Sequence, residues 1–434
     1  MSLELAIPAG AALAQLTDAQ RAGLFQRGRA LDADVRRSVA QLIEAVRTRG
    51  DEALREQARR FDKVEDLVIE VPRARWRAAL EEMDTAVRAG LELAADNIAT
   101  FHRAQLPPTL EIELRPGLKL GRRADPLNRV AVYAPGGRAA YPSSVLMGVV
   151  PARVAGVSEV IVCSPAAPDG LPPAVVLAAC EIGRADRVFA IGGAGAIAAA
   201  AFGTETVPRV DKIVGPGNAY VTEAKQQLNG MVAIDCPAGP SEVLVLADES
   251  ADAELVASEL LAQAEHDPDA ASVLLTTSRA LLTQVSAALD QRLAVEQRGA
   301  IIKRALRSGG ALLVAGSDAE MIEFNNAYAP EHLALYVREP RAMLHAIRNA
   351  GTVFLGGASS VAFGDYLTGA NHVLPTATLA RAYSGLSTLD FLRWTTYQEL
   401  SAEAARELAP ATKALAIAEG LPAHARAAAL RGGR

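Results

Sequence analysis

The chain has 434 residues, more than one hydrophobic core usually holds, so two or more domains are expected. Half of it is hydrophobic, 22% is charged and the formal net charge is −6. No basic block points to nucleic acid, and no apolar run is long enough to cross a membrane.

The N-terminus lacks a basic n-region, and Pro8, Gly10 and Gln15 interrupt its apolar residues, so no signal peptide is expected. Asp32 to Phe61 and Pro72 to His102 carry apolar residues at three- and four-residue spacing and read as helices. A Pro-rich break follows at Gln105. From Arg129 short apolar runs close in turn residues: "RVAVYAPGG", "VSEVIVCSP", "DRVFAIGGAG" and "DKIVGPGN". Ala-rich helical stretches separate them. After Pro240 the pattern resumes with "SEVLVLAD", "ASVLLTTS", "GALLVAG", "HLALYV" and "GTVFLG". Strands alternating with helices mean βαβ units and parallel sheets, here two, with boundaries near Arg129 and Pro240. From about Leu386 the strands stop and the tail reads as helices alone. Cys163, Cys180 and Cys236 form no C-x-x-C pair and read as buried, reduced thiols of a cytoplasmic protein.

Three glycine turns follow strands of the middle region: Ala134 to Arg138, Gly192 to Gly195, and Gly215 to Asn218. Glycine at the carboxyl end of a parallel strand admits positive φ and close approach of a phosphate or nucleotide. Gly193-x-Gly195-x-x-Ala198 imitates a dinucleotide fingerprint, a weak signal alone, and Asp211 falls short of the spacing for a ribose-binding acid.

Six histidines make a short census. His102 and His345 lie in charge-studded helical stretches and read as surface or lightly buried. Gln263 and His266, three apart near a helix end, share one face. Asp365 and His372 fall in an irregular loop after "GTVFLG", at a strand's carboxyl end. Glu419 and His424 lie in the tail. A Gln, His, Asp, His set would suit Zn²⁺ or another divalent first-row metal. In "YAPEHLALYV", Glu331 and His332 stand side by side at the start of an apolar strand.

Together "YAPGGRAAYPSSVLM", "FGTETVPRVDKIVGPGNAYVTEAK", "PAGPSEVLVLAD", "LLAQAEHDPD", "YAPEHLAL", "GDYLTGANHVLPT", "SGLSTLDFLR" and "AEGLPAHA" resemble the histidinol dehydrogenase family, in its order, from Arg129 to the C-terminus. The resemblance implies two Rossmann-like, incomplete parallel-sheet domains with small helical terminal segments. Residues 1–27 would be an N-terminal helical segment. Residues 28–130 and 241–386 would form one discontinuous α/β domain with the metal and substrate. Residues 131–240 would bind NAD, and 387–434 would be a tail exchanged within a homodimer.

It further implies a four-electron oxidation of L-histidinol through bound histidinal to L-histidine, reducing two NAD⁺, the last step of histidine biosynthesis. Gln263, His266, Asp365 and His424 match the ligands of one zinc ion per subunit. Glu331 and His332 match the acid–base pair. Ser241 and Glu419, with Gln263, His266, His332, Asp365 and His424, match substrate contacts. Tyr133, Gly195 and Asn218 fall at NAD-contacting positions.

The chain departs from the family pattern at Gly195, where Gln is usual, so either a weaker NAD contact or a compensating neighbour is expected. Ala377 and Thr378 replace two usual glycines, and Ala334 stands where an acid is frequent. Two other functions compete: a relative with the same fold and metal site acting on another small alcohol such as sulfopropanediol, and a metal-binding protein without redox activity. Retention of Glu419 and His424 favours histidinol.

Overall fold

In the computed structural model, the described residues are 5–27, 33–136, 140–432. Part of the 134–138 turn, the start of the helix expected from Asp32, and the ends of the chain lie outside them.

Two parallel sheets form the frame. The first orders its strands Ala11–Ala12, Gly310–Val314, Ala271–Thr276, Glu242–Ala247, His332–Tyr336, Thr352–Leu355. The second runs Arg187–Phe189, Glu159–Cys163, Arg129–Tyr133, Lys212–Val214, Ala233–Ile234. Helices cover both faces, so the central strands are near-continuous apolar runs rather than alternating ones. Glu242–Ala247 and Ala271–Thr276 are buried at every position. The helix Gly193–Phe202 is apolar all round and correspondingly buried.

The expected strands are all present, and three expectations about the architecture need correction. The 1–27 segment is not purely helical: Ala11 and Ala12 pair with Leu313 and Val314 at the edge of the first sheet. The helices between 33 and 103 do not join the 241–386 sheet. Val39, Ile43, Val46, Trp76 and Ile98 enter one core with Val130 and Val160 of the second sheet and Ile197 of the helix Gly193–Phe202. Their apolar stripes fit the exposed side of the Ala-rich layer, where small side chains permit close approach.

The third correction concerns the tail, which is not helical throughout. Leu392–Leu400 pairs over nine residues with Leu118–Pro126, which also pairs with Leu110–Arg115. Leu110, Ile112 and Leu114 alternate with Glu111, Glu113 and Arg115, the period of a strand. The helices Ala402–Ala418 and Pro422–Gly432 follow and pack on each other.

The three cysteines are unpaired and buried, as expected. Among the described residues no helix is long and apolar enough to cross a membrane. His102 is not superficial. It is fully buried, with Nδ1 2.9 Å from the Ile98 carbonyl, and burial lowers its pKa.

Candidate active site

Glu331 and His332 open the strand His332–Tyr336, and Ser241 and Glu242 open its neighbour, so all four stand at the amino edge of the first sheet. The main chain of Glu242 holds the pair. Its N–H donates to Glu331 Oε2 at 2.7 Å, and its carbonyl oxygen lies 3.0 Å from His332 Nδ1. A carbonyl only accepts, so Nδ1 bears the proton and Nε2 of the neutral ring bears the lone pair. That Nε2 faces Asp365 Oδ1 at 3.7 Å, and Nδ1 lies 3.4 Å from Glu331 Oε2.

Both side chains are buried. Burial disfavours the imidazolium, but Glu331 and then Asp365 outweigh it and His332 is pushed up to about 9. Burial likewise raises the Glu331 carboxyl against the opposing pull of His332.

Sequence reasoning missed the support beneath this pair. The Glu242 carboxylate accepts from Arg27 Nη2 at 2.9 Å and from the Ala377 N–H at 2.7 Å. Arg27 in turn lies 3.3 Å over the Tyr328 ring. An acid at the head of an otherwise apolar strand was the available signal. Ala377 and Thr378 adopt φ of 54° and 70°, so the turn keeps the left-handed backbone that glycine favours. Ala334 is fully buried mid-strand opposite Val245 and Phe354, where its small size serves packing.

Asp365 does not sit in an irregular loop at the carboxyl edge. The short helix Val361–Tyr366 carries it back to the amino edge, beside His332. There His266 Nε2 lies 3.8 Å from Asp365 Oδ2. Gln263 is in the last turn of the helix Ala253–Ala264, with His266 just beyond its end. Gln263 is 2% exposed, yet neither its amide oxygen nor its nitrogen has a hydrogen-bond partner. Such a group costs free energy unless something binds it. His372 is a tie: Nδ1 lies 2.9 Å from the Asp365 carbonyl and Nε2 3.1 Å from Ser144 Oγ, and burial lowers its pKa.

The donors of Gln263, His266 and Asp365 suit a borderline divalent cation. Among the described residues, no group of three His, Cys, Asp or Glu side chains gathers to hold one. Glu419, just past the end of the helix Ala402–Ala418, and His424, in the helix Pro422–Gly432, are exposed.

The glycine turns occupy the carboxyl edge of the second sheet, which faces this cluster. Ser144, in the helix after the strand Arg129–Tyr133, touches His372, and the Gly239 N–H donates to Thr376 Oγ1 at 2.5 Å. The Tyr133 hydroxyl accepts from the Gly193 N–H at 3.1 Å. Asn218 Oδ1 caps the helix Ala219–Leu228, accepting from the N–H groups of Tyr220 and Val221. Gly215, at φ 115°, lies so close to the Tyr133 carbonyl that a side chain there would collide with it.

The histidinol dehydrogenase family model matches residues 25–432. The chain belongs to the histidinol dehydrogenase family. The histidinol dehydrogenase of Methanosarcina mazei is 49% identical over 414 residues, 95% of each chain. That of Vibrio cholerae is 44% identical over 96% of each. The crystal structure of histidinol dehydrogenase from Elizabethkingia anophelis superimposes with a TM-score of 0.91 at 36% identity over 96% of each chain. The family match thus runs through both sheets and into the tail that carries Glu419 and His424.

Proposed function

We propose that the chain oxidises L-histidinol to L-histidine through bound L-histidinal, with NAD as the hydride acceptor in both steps. Family membership supports the reaction, and one observation carries the mechanism: Glu331 and His332 are buried together and held by the main chain of one residue, Glu242.

In the fraction of the enzyme whose imidazole is neutral, a fraction that grows as pH rises toward 9, His332 Nε2 takes the hydroxyl proton as hydride leaves the carbinol carbon. An aldehyde has no hydride to give toward an acid until water adds, so the second step requires an activated water. Glu331 accepts that proton. Its Oε2 is engaged by Glu242, which leaves Oε1 as the oxygen that faces the water. Holding the aldehyde between steps prevents loss of a reactive intermediate.

Gln263, His266 and Asp365, with His424 from a second copy, would hold one zinc ion that orients the substrate's imidazole and amine. The unpartnered amide of Gln263 and the closeness of His266 to Asp365 support this. Ser241, Glu419 and His332 would complete the substrate contacts. Tyr133, Gly195 and Asn218 would line the NAD site, in a domain made of residues 131–240 with the helices between 33 and 103 packed on it.

The chain would form a homodimer with exchanged 387–434 tails, a reading supported by the exposed position of Glu419 and His424. Leu415, Ile417, Leu421 and Leu430 of the tail are also exposed, as are Leu110, Ile112 and Leu114. Apolar exposure on that scale marks an interaction surface. A cytoplasmic location accords with the three unpaired thiols.

The deciding experiment is the yield of NADH per histidinol, with and without a chelator. A ratio near two that vanishes on chelation supports the reading. A ratio of one, or a yield indifferent to the chelator, refutes the two-step, metal-dependent reaction.

A further inference from the structure

Gly195 lies in the first turn of the helix Gly193–Phe202, at the carboxyl edge of the second sheet. A Cβ built there would overlap Oε1 of Gln57 and stand 3.0 Å from its Cδ and 3.3 Å from its Nε2. The carboxamide of Gln57 therefore occupies the space into which a side chain at 195 would project. Gln57 ends the helix Asp51–Gln57, where the backbone passes into the π-helical turn Ala58–Asp62. Single π turns recur at functional sites, because they re-aim the side chains around them.

The amide nitrogen of Gln57 is buried and has no hydrogen-bond partner. A buried N–H₂ without an acceptor is costly, and packing alone would be served as well by an apolar side chain of the same length. The glycine turn that it overlies is anchored by the bond from the Gly193 N–H to the Tyr133 hydroxyl. Burial raises the Tyr133 phenol, and the nearby carboxylate of Asp62 adds a small push in the same direction. A donor, a carboxylate and a glycine-lined helix start thus share one edge.

We infer that Gln57 is a dinucleotide-binding residue, donating from Nε2 to the cofactor across Gly195. This rests on the reading of that edge as the NAD site. The partner is an oxygen or ring nitrogen of a nicotinamide dinucleotide, since Nε2 can only donate. Gly195 is what makes room: any side chain at 195 would displace the Gln57 amide.

The test is direct NADH binding, read from the fluorescence of the bound cofactor, with full-length protein and no histidinol. Gln57→Met keeps the length of the side chain and removes the donor, and Gln57→Ala removes both. Both are expected to weaken NADH binding roughly tenfold, the loss of one hydrogen bond to a buried partner. Thermal unfolding and histidinol binding, measured on the same samples, should match the unsubstituted protein. Unchanged NADH affinity in Gln57→Met overturns the inference, as does a loss of affinity matched by equal loss of histidinol binding. Failure of the unsubstituted protein to bind NADH overturns the reading of the edge itself, a distinct result.

Discussion

His332 donates from Nδ1 to the main-chain carbonyl of Glu242, 3.0 Å away, and so presents Nε2 as its basic atom. Because the acceptor is backbone, no side-chain change at 242 removes it. The tautomer is fixed by the strand pairing itself.

Separate tasks for the two neighbours predict separate losses. His332→Asn should depress oxidation of both histidinol and histidinal by about 10²–10⁴-fold. Glu331→Gln should depress the aldehyde step far more than the alcohol step, because water enters only there. Steady-state rates on each substrate decide; equal losses in Glu331→Gln would refute the division.

Arg27 and Glu242 form an ion pair of 2.9 Å whose side chains are only 9% and 2% exposed. Arg27→Met leaves a buried carboxylate unpaired, which costs about 3–5 kcal/mol. Urea unfolding should show that loss, accompanied by lower kcat. The double variant Arg27→Met, Glu242→Gln should recover much of the stability.

Tail exchange predicts complementation between two dead subunits. His266→Ala and His424→Ala should each lose zinc and activity. Co-expressed, they should regain about a quarter of the unsubstituted activity, from mixed dimers with one intact site. No recovery would mean that each tail serves its own subunit. Point variants are preferable to truncation after Leu386, which would also strip away the strand Leu392–Leu400 from its partner.

His102 makes stability depend on acidity. Its pKa is lowered by burial from the ordinary 6.5, so the unfolded chain binds the proton more readily. That contribution to stability is fully present above pH 6.5 and is lost as pH falls toward and through the lower folded value. Denaturation midpoints should drop over that window, by at most about 1.4 kcal/mol per pH unit for one proton. His102→Gln should flatten the slope.

The parallel strands were legible because each is an apolar run closed by turn residues, and "HLALYV" or "SEVLVLAD" needs no partner to be recognised. The antiparallel sheet was missed because Leu110–Arg115 and Leu392–Leu400 are largely exposed and carry charges that mimic a helix surface. Glu331 and His332 were legible as neighbours in sequence. Arg27 lies 215 residues from Glu242, and Gln57 lies 138 residues from Gly195, so only the fold brings them together. Periodicity describes one element at a time, and these contacts join elements.

The acid–imidazole pair stands at the amino edge of one sheet and the glycine turns at the carboxyl edge of the other. On the proposed reading of the glycine turns as the NAD site, one ligand can depart without disturbing the anchorage of the other. A catalyst that consumes two dinucleotides for each substrate needs this independence: the spent carrier is swapped on one side while the half-finished molecule stays moored on the other.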